Sequence, residues 1–206
     1  ILPRYVIQRI RDGAQTIAES MAEVNVIFID LVGFTELSHR LAPNHVVEVL
    51  GDLFREFDVL CERHGVTKIK TIGDGYMAAT GVPEPSFHTA ENAIEYCFDA
   101  LQRVSALAAR TELPIRVRIG VATGAVISGV LSLKRPVYDL WGETVNLASR
   151  LESSGAPDRI HVAETTYWRT KHAYEFEARG EITAKGIGPL QTYFVVGRRA
   201  AQARVS

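Results

Sequence analysis

The chain has 206 residues, 47% of them apolar and 23% charged, which suits one α/β domain with a substantial core rather than two. A formal net charge of −1 provides no basic field for nucleic acid, so no nucleic-acid partner is expected. The only cysteines, Cys61 and Cys97, lack CxxC spacing, which argues against a disulfide framework or a zinc site and fits a reducing compartment.

Residues 1–22 read as a lead-in, with Ile1, Val6, Ile7 and Ile10 spaced along one helix face and a break at Asp12-Gly13. Val24 to Val32 is nearly all apolar and β-branched, the pattern of a buried strand. Gly33-Phe34-Thr35 turns the chain, with Thr35 placed to cap a helix. Apolar residues recur at helical spacing from Pro43 to His64 until Gly65. Val66–Ile72 and Tyr76–Thr80 then form a hairpin through Gly73-Asp74-Gly75. A second long helix is expected over Thr89–Ala109, and a strand pair over Leu113–Thr123 and Ala125–Leu131, punctuated by Gly124. A helix over Thr144–Leu151 ends at Ser153-Ser154-Gly155, and a short helix lies near Ala163 to Thr170. The order β-α-β-β-α-β predicts an α+β, ferredoxin-like antiparallel sheet with helices on one face and C-terminal additions. The domain is expected over 23–198, with a tail at 199–206.

Two carboxylates stand out. Asp30 interrupts an apolar strand, where a lone ionised carboxylate is costly without a partner. Asp74 occupies the hairpin tip, and a βαββ arrangement brings that tip to the end of the first strand. Together they suit a hard divalent cation such as Mg²⁺ or Mn²⁺, which would also hold phosphates. A turn aspartate at 74 and a backbone-bonded aspartate at 30 explain the same residues.

Asn146 and Arg150 lie four apart on one helix face, with Val145, Ala148 and Ser149 offered to the packed side. Arg presents a donor fork suited to phosphate, and Asn can position a hydroxyl, although surface helices carry such pairs routinely. Lys185 sits in the glycine-bounded Ala184-Lys-Gly-Ile-Gly188, and on its own reads as an exposed loop lysine. The six histidines show no ligand spacing.

Together, FIDLVGFTELS (28–38), KIKTIGDGYMAATG (68–81), VRIGVATGAVISGVL (117–131), VYDLWGETVNLASRLESSG (137–155) and AKGIGPLQTYFV (184–195) resemble, in order, the class III nucleotidyl cyclase catalytic domain. The resemblance runs from about residue 24 to 196. It implies an adenylate cyclase that converts ATP to cyclic AMP and pyrophosphate, with active sites shared across a homodimer and two divalent metal ions, Mg²⁺ or Mn²⁺. Asp30 and Asp74 match the metal-binding aspartates, with the Leu31 carbonyl as a further ligand. Lys70 and Asp139 match the residues that select the base. Asn146 and Arg150 match the pair acting on the transition state, and Lys185 the lysine holding the terminal phosphates. Ala125 stands where the family often carries Arg, which removes one triphosphate contact.

Lys70 can only donate and ionised Asp139 only accept, which fits adenine and mismatches guanine. A guanylyl cyclase, a diguanylate cyclase and a nucleotide-binding pseudoenzyme are the alternatives. The second would show a GG(D/E)EF turn, and the third usually lacks a metal aspartate or the Asn and Arg pair. No apolar run approaches the roughly 18 residues of a membrane span and no signal peptide opens the sequence. A cytoplasmic location is therefore expected, and the start at Ile1-Leu2-Pro3 fits an upstream regulatory or membrane region.

Overall fold

The computed structural model describes residues 2–14, 16–84, 89–131, 134, 136–184 and 188–200. Its elements, in order, are α1 (Arg4–Arg11), β1 (Ile17–Leu31), α2 (Phe34–Arg40), α3 (Pro43–His64), β2 (Thr67–Ile72), β3 (Gly75–Thr80) and α4 (Thr89–Thr111). These are followed by β4 (Val117–Val130), β5 (Tyr138–Trp141), α5 (Glu143–Ser153), β6 (Ile160–Ala163), α6 (Glu164–Thr170), β7 (Tyr174–Ala184) and β8 (Gly188–Arg198).

The sheet order is β2-β3-β1-β4-β6-β8-β7, with β5 paired to β4. Its first four strands are antiparallel throughout, which is the ferredoxin-like core expected from the chain order. β6 to β8 extend it, β6 joining β4 in parallel.

Alternation along β1 sorts the core into two layers. Ile27, Ile29 and Leu31 face α3 and α4, while Val24 and Val26 face the layer that includes α1, β5 and α5. α3 starts with Pro43 in its first turn and ends on Gly65 at φ 63, the left-handed stop that glycine adopts without strain. Between those signals it buries Val49, Leu53, Phe57 and Leu60 along one stripe, each contributing about 1.5–3 kcal/mol of apolar burial. The expected pair of helices thus covers one face, and α1 and α5 add to the other.

Three boundaries differ from expectation. β1 begins at Ile17, ahead of the apolar run, because residues 17–21 pair with the far end of β4 across an irregularity between Met21 and Val24. Leu113–Leu131 is not a strand pair: β4 runs unbroken from Val117 to Val130. Gly124 does not turn the chain there but gives room to α5, since a Cβ on it would sit 2.6 Å from Thr144 Oγ1. Finally, Gly33, at φ 72, occupies the N-cap of α2 and Thr35 lies inside that helix, so the capping role expected of Thr35 is not found. Among the described residues, no helix is long and apolar enough to cross a membrane.

Candidate active site

The pairing register places Ile29 opposite Tyr76, so Asp30, the next residue of β1, stands beside Gly75 and the hairpin tip that carries Asp74. The juxtaposition expected of the two aspartates is therefore present. At Gly75 the backbone is tightly enclosed: a Cβ there would lie 3.2 Å from the Ile72 carbonyl, 3.3 Å from Asp30 Oδ1 and 3.6 Å from the Ile29 carbonyl. A side chain there would make the Ile72 carbonyl and Asp30 give by a few tenths of an ångström, so glycine eases this close approach. At the base of the hairpin, Tyr76 donates to Asp58 Oδ1 of α3 at 2.6 Å. A cavity of about 150 Å³ opens here, bounded by Phe28, Asp30, Ile72, Gly75, Ser149 and Glu152.

Burial, and then the charge of Asp74, raise the Asp30 carboxyl above its usual range, while Arg118 opposes the shift. Arg118 donates to Asp30 Oδ2 at 3.2 Å and to Glu152 Oε1 at 2.9 Å. Glu152 is 7% exposed, and burial followed by the charge of Asp30 raises its carboxyl too. Neither Arg118 nor Glu152 was singled out in the sequence. Arg118 could have been found by the reasoning applied to Asp30, since it is a charge inside an apolar strand. Glu152 carried no such signal, because its burial depends on how closely α5 approaches β4.

The donor set fits a hard divalent cation: two carboxylates meet at one strand end, and among the described residues neither sulfur nor imidazole lines the cavity beside them. Among the described residues, no group of three or more His, Cys, Asp or Glu side chains is arranged to hold a metal. Leu31, the last residue of β1, packs its side chain into the α3–α4 layer.

Lys70 on β2 and Asp139 on β5 meet directly, with Lys70 Nζ 2.5 Å from Asp139 Oδ2. Asp139 Oδ1 also accepts from the Leu140 backbone N–H at 2.8 Å. Two residues from distant segments thus present a donor and an acceptor at one place.

α5 packs on β4 through Thr144, Ala148, Leu151 and Glu152. Ala148 is buried as expected, whereas Val145 and Ser149 are only half-buried. Asn146 and Arg150 share the outward face and are exposed, and their side chains make no hydrogen bond or ion pair among the described residues. Ala125 is exposed on β4, and its carbonyl accepts from Thr144 Oγ1 at 2.7 Å. Lys185 lies outside the described residues.

Over residues 16–197 the chain matches the family described as the adenylate and guanylate cyclase catalytic domain. It is 36% identical to an adenylate cyclase of Mycobacterium tuberculosis over 202 residues, which are 98% of this chain and 46% of that protein. It is 42% identical to retinal guanylyl cyclase 2 of Rattus norvegicus over 206 residues, covering 97% of this chain and 18% of that protein. The chain therefore spans less than half the length of either relative. Among solved structures, the guanylate cyclase domain of RhGC from Catenaria anguillulae in complex with GTP superposes with a TM-score of 0.84 at 34% identity, covering 88% of this chain and all of that one. With motifs, strand order and nearly the whole length in agreement, the chain belongs to the adenylate and guanylate cyclase catalytic domain family.

Proposed function

We propose that this domain converts ATP to 3′,5′-cyclic AMP and pyrophosphate in sites shared between two copies of the chain. The observation that carries the choice of ATP is the Lys70–Asp139 pair. Adenine offers an acceptor at N1 and a donor at its N6 amine, which a lysine and a carboxylate complement; guanine reverses both. A buried mismatch of that kind discriminates by as much as about 10⁴-fold.

In this reading the ribose 3′ oxygen attacks the α-phosphorus of the same nucleotide. The bond to the pyrophosphate oxygen breaks, and the hydroxyl proton passes to solvent. Because attack is intramolecular, the protein's work is positioning and charge stabilisation. Asp30 and Asp74, with the Leu31 carbonyl, would hold two divalent ions, Mg²⁺ or Mn²⁺, which when bound draw charge from the phosphates and ease ionisation of the hydroxyl. Arg150 meets charge developing on the α-phosphate, Asn146 orients the ribose, and Lys185 holds the departing pyrophosphate. Ala125 supplies no cation, so the triphosphate relies on the remaining groups.

Arg150 and Asn146 are exposed and make no side-chain hydrogen bond or ion pair among the described residues, which supports use of those groups on a substrate held partly by a second copy. Exposed Ile127, Leu131 and Val137 at the β4–β5 end, at 50%, 81% and 58%, supply apolar surface for that association. A homodimer then has two equivalent sites, and a monomer has only half-sites. An upstream regulatory or membrane region and a cytoplasmic location complete the reading.

The 42% identity with retinal guanylyl cyclase 2 favours GTP as a second reading. Product analysis with each nucleotide, with Mn²⁺ or Mg²⁺ and across protein concentrations, separates the two. Cyclic AMP formed from ATP, with specific activity rising with concentration, supports the proposal. Cyclic GMP from GTP as the sole product, or no product from a folded dimer, overturns it.

A further inference from the structure

The two oxygens of Asp30 have different surroundings. Oδ2 accepts from Arg118 Nη2 at 3.2 Å, while Oδ1 is the oxygen turned toward Gly75, 3.3 Å from the position a Cβ would take there. Arg118 is the direct cross-strand partner of Asp30 in the β1–β4 register. Its Nε donates to Glu152 Oε1 at 2.9 Å. Glu152 is in turn held by backbone packing, for its amide nitrogen sits only 2.2 Å from where a Cβ on Gly120 would lie. The chain from α5 to the strand end is thus continuous: a fixed helix, a buried carboxylate, a planar fork and an aspartate.

We propose that Arg118 and Glu152 are positioning residues that aim Asp30: Glu152 anchors the guanidinium, and the guanidinium ties down Oδ2 so that Oδ1 faces the hairpin bearing Asp74. This rests on the reading of Asp30 as a metal ligand. The terminal torsion of an aspartate is broad and roughly two-fold, so an untethered carboxylate rotates freely. Hydrogen-bond partners that orient a ligating carboxylate typically change metal affinity by about 10–100-fold when removed. The rigid guanidinium fork reaches two carboxylates at once, which a single ammonium on a flexible stem does not reproduce. Removing Arg118 also takes a positive charge from beside Asp30 and Glu152, and on electrostatics alone that would weaken repulsion of a cation and tighten its binding. The two effects have opposite signs, so the experiment has a definite answer.

The test is Mn²⁺ occupancy, followed by electron paramagnetic resonance, of the domain saturated with 3′-deoxy-ATP, which lacks the attacking hydroxyl. Melting temperatures without metal confirm folding. Arg118→Gln is expected to raise the Mn²⁺ concentration for half-occupancy about tenfold or more, Arg118→Lys by less, and Glu152→Gln also to raise it. Unchanged or tighter Mn²⁺ binding in folded Arg118→Gln overturns the inference, and should that variant not fold, the same result in Arg118→Lys and Glu152→Gln does so. Asp30→Asn is the control on the underlying reading. If it binds Mn²⁺ as the parent does, Asp30 is not a ligand; if it alone loses binding, only the aiming role of Arg118 and Glu152 fails.

Discussion

Lys70 and Asp139, 69 residues apart in sequence, meet with Nζ 2.5 Å from Oδ2, so both members of the proposed base-reading pair come from one chain. The pair is part-shielded, with side-chain exposures of 35% and 13%. Lys70→Glu would set two carboxylates together and remove the only donor of the pair. On the proposed reading, ATP turnover falls about 100-fold or more, and the ATP-to-GTP preference falls with it. β2 is an edge strand and Lys70 is half-exposed, so folding should survive. An unchanged preference in a folded variant, measured as the ratio of cyclic products, would remove Lys70 from base selection.

The pattern of the sequence carried the antiparallel core and the meeting of Asp30 with Asp74, because both follow from local periodicity and chain order. It did not carry β4. Gly124 resembles a turn glycine locally, and only the helix lying across it shows that the missing side chain makes room. For the same reason Glu152 was invisible: in Ser149-Arg150-Leu151-Glu152 it looks like a surface helix residue, and the Gly120 contact buries it. β5 escaped notice because four residues, Tyr138–Trp141, are too few for a period to show. The Lys70–Asp139 contact is a tertiary event that followed from the family resemblance and from no spacing within the chain.

His161 offers a pH prediction. It is fully buried, its Nδ1–H donates to the Leu151 carbonyl at 2.8 Å, and burial pushes its imidazole down to about 4. In the unfolded chain the ordinary value is about 6.5. Between these values the unfolded state binds the proton first, so acidification favours unfolding and stability rises with pH. The full difference is about 3 kcal/mol, lost as pH falls from about 6.5 toward 4. Urea midpoints measured from pH 4.5 to 7.5 should fall more steeply on the acid side for the parent than for His161→Asn, which has nothing to titrate there. Parallel curves would show that His161 does not govern acid sensitivity.

Gly120 fixes how closely α5 can lie on β4. A Cβ there would come within 2.2 Å of the Glu152 nitrogen and 2.3 Å of the Ala148 carbonyl oxygen, and backbone on both sides leaves little to yield. Gly120→Ala should therefore destabilise by about 1–3 kcal/mol and lower activity, because the displaced helix carries Asn146, Arg150 and Glu152. Gly51→Ala, in α3 with nothing within 4 Å of the new methyl, should instead be neutral or stabilise by about 0.4–1 kcal/mol. Urea denaturation of the two variants reads the contrast directly, and equal stabilities would contradict the close packing of α5.

The shared-site reading makes a prediction by complementation. Asp30 lies at the strand end and Arg150 on the outward face of α5, so in a symmetric dimer each composite site would draw on the first from one copy and the second from its partner. Asp30→Ala and Arg150→Ala should each lower turnover about 100-fold or more, as expected when a group that stabilises developing charge is lost. In a dimer with one copy of each variant, one site collects both substitutions and the other is intact. Equal mixing makes about half of the dimers mixed, each with one of its two sites whole, so activity should recover to about a quarter of the parent's. Recovery that tracks the fraction of mixed dimers, counted by native mass spectrometry, supports a site built from two chains. Mixed dimers that form without regaining activity would mean that each chain works with its own Asp30 and Arg150.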